Sequence, residues 1–163
     1  MPDQELTDDS PAQALVAGEA NLVIVDGDKI KLIWPSPAFK VTPDEITLKG
    51  TSPNWKINGK KVCVVGDEAT AMTAVGKFQY TALGFTATPG QGTITVTVVP
   101  GANTTVQTFN GGKSVLIKGA QFQAAYTGSP AMSDAKPPAT GPLPPPGPFA
   151  QFADLQNKKV TAK

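Results

Sequence analysis

The chain has 163 residues, enough for one domain with extensions, and 40% of them are hydrophobic, so most of the chain can bury a core. Its formal net charge is +1 and all 14 basic residues are lysine, which argues against a nucleic-acid-binding surface and against arginine clamps for phosphate or carboxylate groups. The absence of histidine and the single cysteine, Cys63, exclude Ser-His-Asp relays, histidine metal ligands and an internal disulfide.

The N-terminal segment, residues 1–20, is acidic and rich in alanine. Ser10 and Pro11 predict a short helix over residues 12–17, since proline is tolerated at the first helical position. The segment shows no secretory signal, and no apolar run in the chain approaches the ~20 residues of a membrane helix. We therefore expect no membrane insertion, a cytoplasmic start, and export, if any, without a cleaved signal peptide.

Hairpin signals fill residues 21–127. Asp26-Gly27-Asp28 predicts a hairpin between residues 22–25 and 29–33, and Asn58-Gly59 predicts one between Trp55–Ile57 and residues 60–65. Further strands are predicted at residues 46–49, on both sides of Gly84, at 93–99 after a turn over 89–92, at 104–109 and 115–117 around residues 110–112, and at 121–126. Residues 66–76 are mostly small and polar, and no strand is predicted there. The expected fold class is all-β, a compact set of short β-hairpins.

Residues 128–163 form a proline-rich C-terminal extension. The prolines between residues 137 and 148 lack amide donors, so we expect residues 135–163 to stay out of the sheet and to run extended along the surface. Phe149, Phe152 and Leu155 follow at a spacing that favours one face of a short helix. This segment is predicted to anchor the extension.

One sequence pattern occurs twice. Residues 60–66 and 113–119 both read Lys-x-Val-x-(Val/Ile)-x-Gly after an Asn-Gly turn signal. The pattern indicates either a duplicated hairpin unit or two ordinary hairpins.

No pattern in the chain is typical of catalysis. The paired carboxylates, Asp26 with Asp28 and Asp67 with Glu68, each lie beside a glycine, and aspartate favours turns through its own hydrogen bonds to the backbone. Cys63 lies between two valines and is interpreted as a strand residue; a ligand role in an intermolecular metal site is the alternative. We expect no enzyme activity, no cofactor and no stoichiometric zinc.

Residues 50–67 resemble a PAAR repeat, in which an apolar residue, Asn-Gly-Lys, a short strand and a closing Gly-Asp follow a Ser-Pro step. The matching residues are Ser52, Pro53, Ile57, Asn58, Gly59, Lys60, Val65, Gly66 and Asp67. The chain departs from the family where Lys61-Val62-Cys63-Val64 stands in place of Pro-Ala-Ala-Arg, and it lacks the histidines that commonly hold a zinc in the family.

The resemblance implies a cone-like spike tip that caps a trimeric β-helical spike in type VI secretion, phage tails or related contractile injection systems. It implies a monomer bound to a homotrimeric spike protein, a role in membrane piercing, and the capacity to carry an effector. The alternative is a β-sandwich binding module for adhesion, carbohydrate or capsid decoration, with Trp34 or Trp55 at its ligand surface.

Overall fold

The computed structural model describes residues 4–6, 19–34, 38–145 and 147–162, which form twelve β-strands, one α-helix and a 3-10 turn at Glu19–Asn21. The helix, α1, spans Asp67–Val75. The strands are β1 (Gln4–Leu6), β2 (Lys29–Leu32), β3 (Phe39–Thr42), β4 (Glu45–Thr47), β5 (Trp55–Ile57), β6 (Lys60–Lys61), β7 (Phe78–Ala82), β8 (Phe85–Thr97), β9 (Thr104–Asn110), β10 (Lys113–Leu116), β11 (Phe122–Gly128) and β12 (Gly147–Ala153). The all-β prediction is confirmed, whereas the helix predicted over residues 12–17 lies outside the described residues.

The largest element is a curled seven-stranded antiparallel sheet with the order β3-β7-β8-β11-β12-β2-β4. Its two edge strands, β3 and β4, are consecutive in the chain and separated only by Pro43 and Asp44. Because two residues span only a short distance, the sheet must curl to bring its edges together. The curled sheet surrounds a main core whose largest fully buried side chains include those of Tyr80, Phe78, Phe122 and Phe152.

The hairpins predicted at Asn58-Gly59 and at residues 110–112 are present, because the turn residues themselves favour the backbone conformation of a tight turn. The strands β5 and β6 pair through Ile57 and Lys60, and the turn residues Asn58 and Gly59 have φ values of 51° and 77°. The strands β7 and β8 are also joined by two residues, Leu83 and Gly84, of which only Gly84 has a positive φ. The strands β9 and β10 pair around Gly111 and Gly112, with φ values of 61° and 77°, in the same way as β5 and β6. Positive φ at both central positions is the signature of the type I′ turn that Asn-Gly favours.

Replacing Gly59 with valine is expected to lower the free energy of unfolding by about 1–3 kcal/mol, because a β-branched residue is strained at positive φ. No atom lies within 4 Å of the position that a Cβ would take, so the cost comes from the backbone rather than from a clash. Urea unfolding measures it. Gln79→Val, at an exposed strand position, serves as the control, and equal stability of the two variants would contradict a tight primed turn.

The predicted hairpin between residues 22–25 and 29–33 is wrong. The turn at residues 25–28 exists, with the Asp28 amide donating to the Val25 carbonyl at 3.0 Å, but the two strands diverge after it. The strand β2 pairs with β12 and β4 instead. The reason is that the Asp28 carboxylate turns back and accepts the Val25 amide at 2.8 Å, which occupies the donor that a hairpin partner would use.

The predicted turn over residues 89–92 is also wrong, because these residues lie inside the long strand β8. A Cβ on Gly90 would lie 2.2 Å from the Tyr80 ring, and a Cβ on Gly92 would lie 2.3 Å from the Thr127 carbonyl oxygen. The glycines therefore permit close packing of β8 against its neighbours rather than a reversal of the chain.

The helix α1 was not predicted, since residues 66–76 lack an amphipathic pattern. Ala71 and Met72 bury their side chains in the core, and Val75 packs against it partly buried. The alanines of the helix have high helix propensity, and Asp67 and Glu68 lie in the first turn, where negative charge offsets the helix dipole.

The prediction that residues 135–163 stay out of the sheet is wrong, and so is the helix predicted at Phe149–Leu155. The strand β12 lies inside the seven-stranded sheet, between β11 and β2. Ala150 and Phe152 point into the core, while Phe149 packs against Trp34 with ring centroids 5.2 Å apart. Side chains that alternate between the two faces of a sheet are typical of a strand. Pairing with β11 and β2 on both sides outweighs the helical spacing of Phe149, Phe152 and Leu155. The segment anchors the C-terminal part of the chain, as predicted, but it does so as a strand.

Candidate functional site: a threefold layer

Three short segments, residues 22–26, 61–65 and 114–118, form a closed triangular arrangement that we call the threefold layer. Each segment pairs through its first half with one of the others and through its second half with the remaining one. The antiparallel bridges are Val25 with Val62, Val64 with Val115, and Ile117 with Val23. Counted along each segment, the same two positions make the bridge in all three cases, so the pairing follows a threefold pattern within one chain.

The backbone hydrogen bonds of the layer repeat the same pattern. The central residues form a cycle in which the amide of Ile24 donates to Leu116 at 3.0 Å, that of Leu116 to Cys63 at 3.0 Å, and that of Cys63 to Ile24 at 2.8 Å. A second cycle of backbone bonds joins the segment ends. The amide of Asp26 donates to the carbonyl of Lys61 at 2.8 Å, that of Val65 to the carbonyl of Ser114 at 2.9 Å, and that of Lys118 to the carbonyl of Leu22 at 2.9 Å. These six bonds satisfy the inward-facing groups of all three segments.

The two faces of the threefold layer contribute to different cores. The central side chains, Ile24, Cys63 and Leu116, pack into the main core beside the seven-stranded sheet. The flanking side chains point to the opposite face and form a small core with Ile57 and Val160; they are Val23, Val25, Val62, Val64, Val115 and Ile117. The layer therefore joins the sheet on one side to a small apolar prism on the other.

Each segment of the layer is followed by a glycine at positive φ, namely Gly27 (94°), Gly66 (107°) or Gly119 (56°). After two of them an aspartate turns back and caps the preceding segment. Asp28 accepts the Val25 amide at 2.8 Å, and Asp67 accepts the Val64 amide at 2.9 Å. At the third corner the Asn103 carbonyl accepts the Ile117 amide at 2.8 Å instead. The chain thus builds the same corner three times with two kinds of acceptor.

Two buried carboxyl groups at these corners, those of Asp28 and Glu68, have raised pKa values. Asp28 is fully buried, and its burial raises the pKa of the carboxyl group, against the lowering effect of the amides of Val25 and Gln156 and of two lysines. Burial likewise raises the pKa of Glu68, which accepts the Gly66 amide at 2.9 Å. The paired carboxylates hold turns together, as interpreted from the sequence.

The PAAR-like residues build the second corner of the layer. Asp67 also accepts the Thr51 hydroxyl at 2.6 Å, and the buried Ser52 hydroxyl donates to the Trp55 carbonyl at 2.6 Å. Ile57 fills the small core, and Val65 packs beside the main core. The remaining motif residues are the exposed Pro53, the turn residues Asn58 and Gly59, the half-buried Lys60 paired with Ile57, and the corner Gly66.

Cys63 lies at the centre of the threefold layer and is fully buried. Burial, followed by the nearby charge of Asp67, raises the pKa of its thiol. Within the described part of the chain, no group of three or more His, Cys, Asp and Glu side chains is placed to hold a metal ion. The thiol is a core side chain, and the expectation of no stoichiometric zinc stays a prediction.

Comparison with known families gives one match. A family model described as contractile injection system spike tip protein matches residues 19–163, which is most of the chain. The chain belongs to this family. A search of curated proteins gives no match to the spike-tip protein. The family assignment favours the spike tip over the β-sandwich binding module, and it agrees with the resemblance seen in residues 50–67.

Sequence reasoning found two copies of the segment pattern in the spike-tip protein and missed the third. Residues 22–27 read Leu-Val-Ile-Val-Asp-Gly, which fits x-Val-x-(Val/Ile)-x-Gly without the leading lysine. A search for that shorter pattern would have found all three corners. No helix of the described residues is long and apolar enough to cross a membrane.

Proposed function

We propose that this spike-tip protein caps a homotrimeric spike as a monomer, with one copy of the chain on three spike subunits. The observation that supports the proposal is the threefold layer, in which one chain repeats the same bridge and the same two hydrogen bonds three times. A closed trimer presents three equivalent surfaces around one axis, so a monomer can match it only by repeating its own structure around that axis.

The two faces of the layer support a proposal for the end of the molecule that meets the spike. One face is covered by the main core and the seven-stranded sheet. The other face carries the small core, walled by the hairpin β5–β6, the hairpin β9–β10 and the C-terminal residues that surround Val160. A trimer that shares the axis of the layer approaches from this second side. Both hairpins end in tight turns, which keeps this end rigid.

We further propose a structural role without catalysis, in which buried carboxylates hold turns and the thiol fills the core. Assembly would take place in the cytoplasm, and export would occur within the injection particle rather than through a cleaved signal peptide. Carriage of an effector and membrane piercing are proposed on the family relationship alone.

Co-purification with the homotrimeric spike protein of the same injection system tests the proposal. The spike carries the affinity tag, and an unrelated homotrimeric protein with the same tag serves as the control. We expect the chain to be retained by the spike and not by the control. If an intact spike trimer fails to retain the chain at micromolar concentration, the proposed function is wrong.

A further inference from the structure

One edge of the strand β9 is open as far as the described residues show. Among the described residues β9 pairs with a single strand, β10, in a two-stranded sheet. Asn110 and Lys113 flank a two-residue turn, so they form the hydrogen-bonded pair, and the next pair, Phe109 with Ser114, does not bond across the hairpin. The backbone N–H and C=O of Phe109 therefore point away from β10, toward the open side.

The equivalent edge in the second hairpin is covered. Ile57 and Lys60 flank the same kind of turn, so Lys56 holds the place that Phe109 holds in β9. The strand β1 pairs with β5 there in parallel orientation, with Glu5 opposite Lys56. One hairpin of the threefold layer thus carries an added parallel strand, and the other hairpin shows the same backbone geometry with no added strand from the described part of the chain.

The open edge of β9 also carries exposed apolar side chains. Val106 is 60% exposed and Phe109 is 53% exposed. A cavity of about 260 Å³ lies beside the strand, lined by residues that include Gly101, Val106 and Gln107. A strand added at this edge would meet both unpaired backbone groups and apolar contact surface.

We propose that β9 accepts one extended strand of the spike, in parallel orientation, at the place that β1 takes on β5. The inference rests on the proposed function, because β10 contributes residues 114–116 to the threefold layer and so places β9 at the end that faces the spike. Main-chain hydrogen bonds to Phe109 set the register of the added strand. Its side chains cover Val106 and Phe109, and one of them enters the adjacent cavity.

Amide hydrogen exchange with residue resolution tests this pairing, using the full chain alone and bound to the homotrimeric spike. We expect exchange of the Phe109 amide to slow by at least about tenfold in the complex, because an open-edge amide becomes hydrogen-bonded. Unchanged exchange at Phe109 within a complex that forms would overturn the inference and leave the capping function intact. If no complex forms, the proposed function fails, and the inference fails with it.

Two surface variants give a second test, which measures binding affinity rather than amide exchange. Phe109→Lys is expected to weaken binding to the spike by at least about tenfold, since it places a charge in the covered interface. Leu83→Lys is the matched control, because Leu83 is 82% exposed and lies in the turn between β7 and β8. Both residues are exposed, so both variants should fold, which a melting curve checks. Equal affinity of the two variants would contradict the proposed site.

Discussion

A chain that ends at Pro145 is expected not to fold. Such a chain lacks β12, which lies inside the seven-stranded sheet, and it loses the buried side chains of Phe152, Leu155 and Val160. Full burial of each large apolar side chain contributes about 1.5–3 kcal/mol, so their sum approaches the 5–15 kcal/mol that stabilises a typical domain. Circular dichroism and limited proteolysis measure the outcome. We expect the full-length chain to resist proteolysis beyond residue 155.

Two phenylalanine variants separate the role of β12 from a general effect of shortening the chain. Phe152→Ala is expected to lower the free energy of unfolding by about 3–5 kcal/mol, because the ring is 1% exposed and packs against Phe122 at 4.8 Å between centroids. Phe109→Ala removes the same group from a strand where it is 53% exposed and should cost little. A cooperative, native-like melt of the chain that ends at Pro145 would refute the placement of β12.

Replacing Asp28 with alanine is expected to lower the free energy of unfolding by about 2–4 kcal/mol, because one buried and one partly buried backbone amide lose their acceptor. These are the amides of Val25, at 2.8 Å, and of Gln156, at 2.9 Å, which tie the first corner of the threefold layer to the C-terminal residues. Urea unfolding measures the loss. Asp134→Ala is the matched control, since Asp134 is exposed, and an equal effect of both changes would contradict the capping role.

The cost of the Asp28 change should also depend on pH. Because burial raises the pKa of Asp28, the folded chain binds the carboxyl proton more tightly than the unfolded chain does. In the unfolded chain the carboxyl group has a pKa of about 3.9. The stabilisation that the side chain provides is then fully present below the unfolded pKa and decreases as pH rises through the folded value. We expect Asp28→Ala to cost more at about pH 4 than at pH 7. A larger cost at pH 7 would show that the two amides, rather than burial, set the pKa.

The sequence predicted those parts of the fold that depend on local chemistry. Asn58-Gly59 and Gly111-Gly112 define their turns by the φ values that their own residues allow, so both hairpins could be predicted. The helix α1 was missed because its small residues carry propensity but almost no pattern. The strand β12 was missed because the prolines before it dominate the composition, while its strand neighbours β11 and β2 are distant in the chain.

The candidate site was predicted only in part, and the reason is again distance along the chain. The PAAR-like residues identify one corner of the threefold layer, and the repeated pattern at residues 113–119 identifies a second. The pairing of Ile24 with Cys63 and Leu116 depends on three segments that are far apart in sequence, and no local signal encodes it. The first corner was instead assigned to a hairpin, since Asp26-Gly27-Asp28 has the composition of a hairpin turn.

The mass of the complex between the chain and its spike, measured under native conditions, shows how many copies of the chain one spike trimer binds. A chain that repeats one corner three times should occupy the whole end of a trimer by itself. We expect a mass equal to three spike subunits and one copy of this chain, at every excess of the chain. A complex with three copies of the chain on three spike subunits would contradict this expectation.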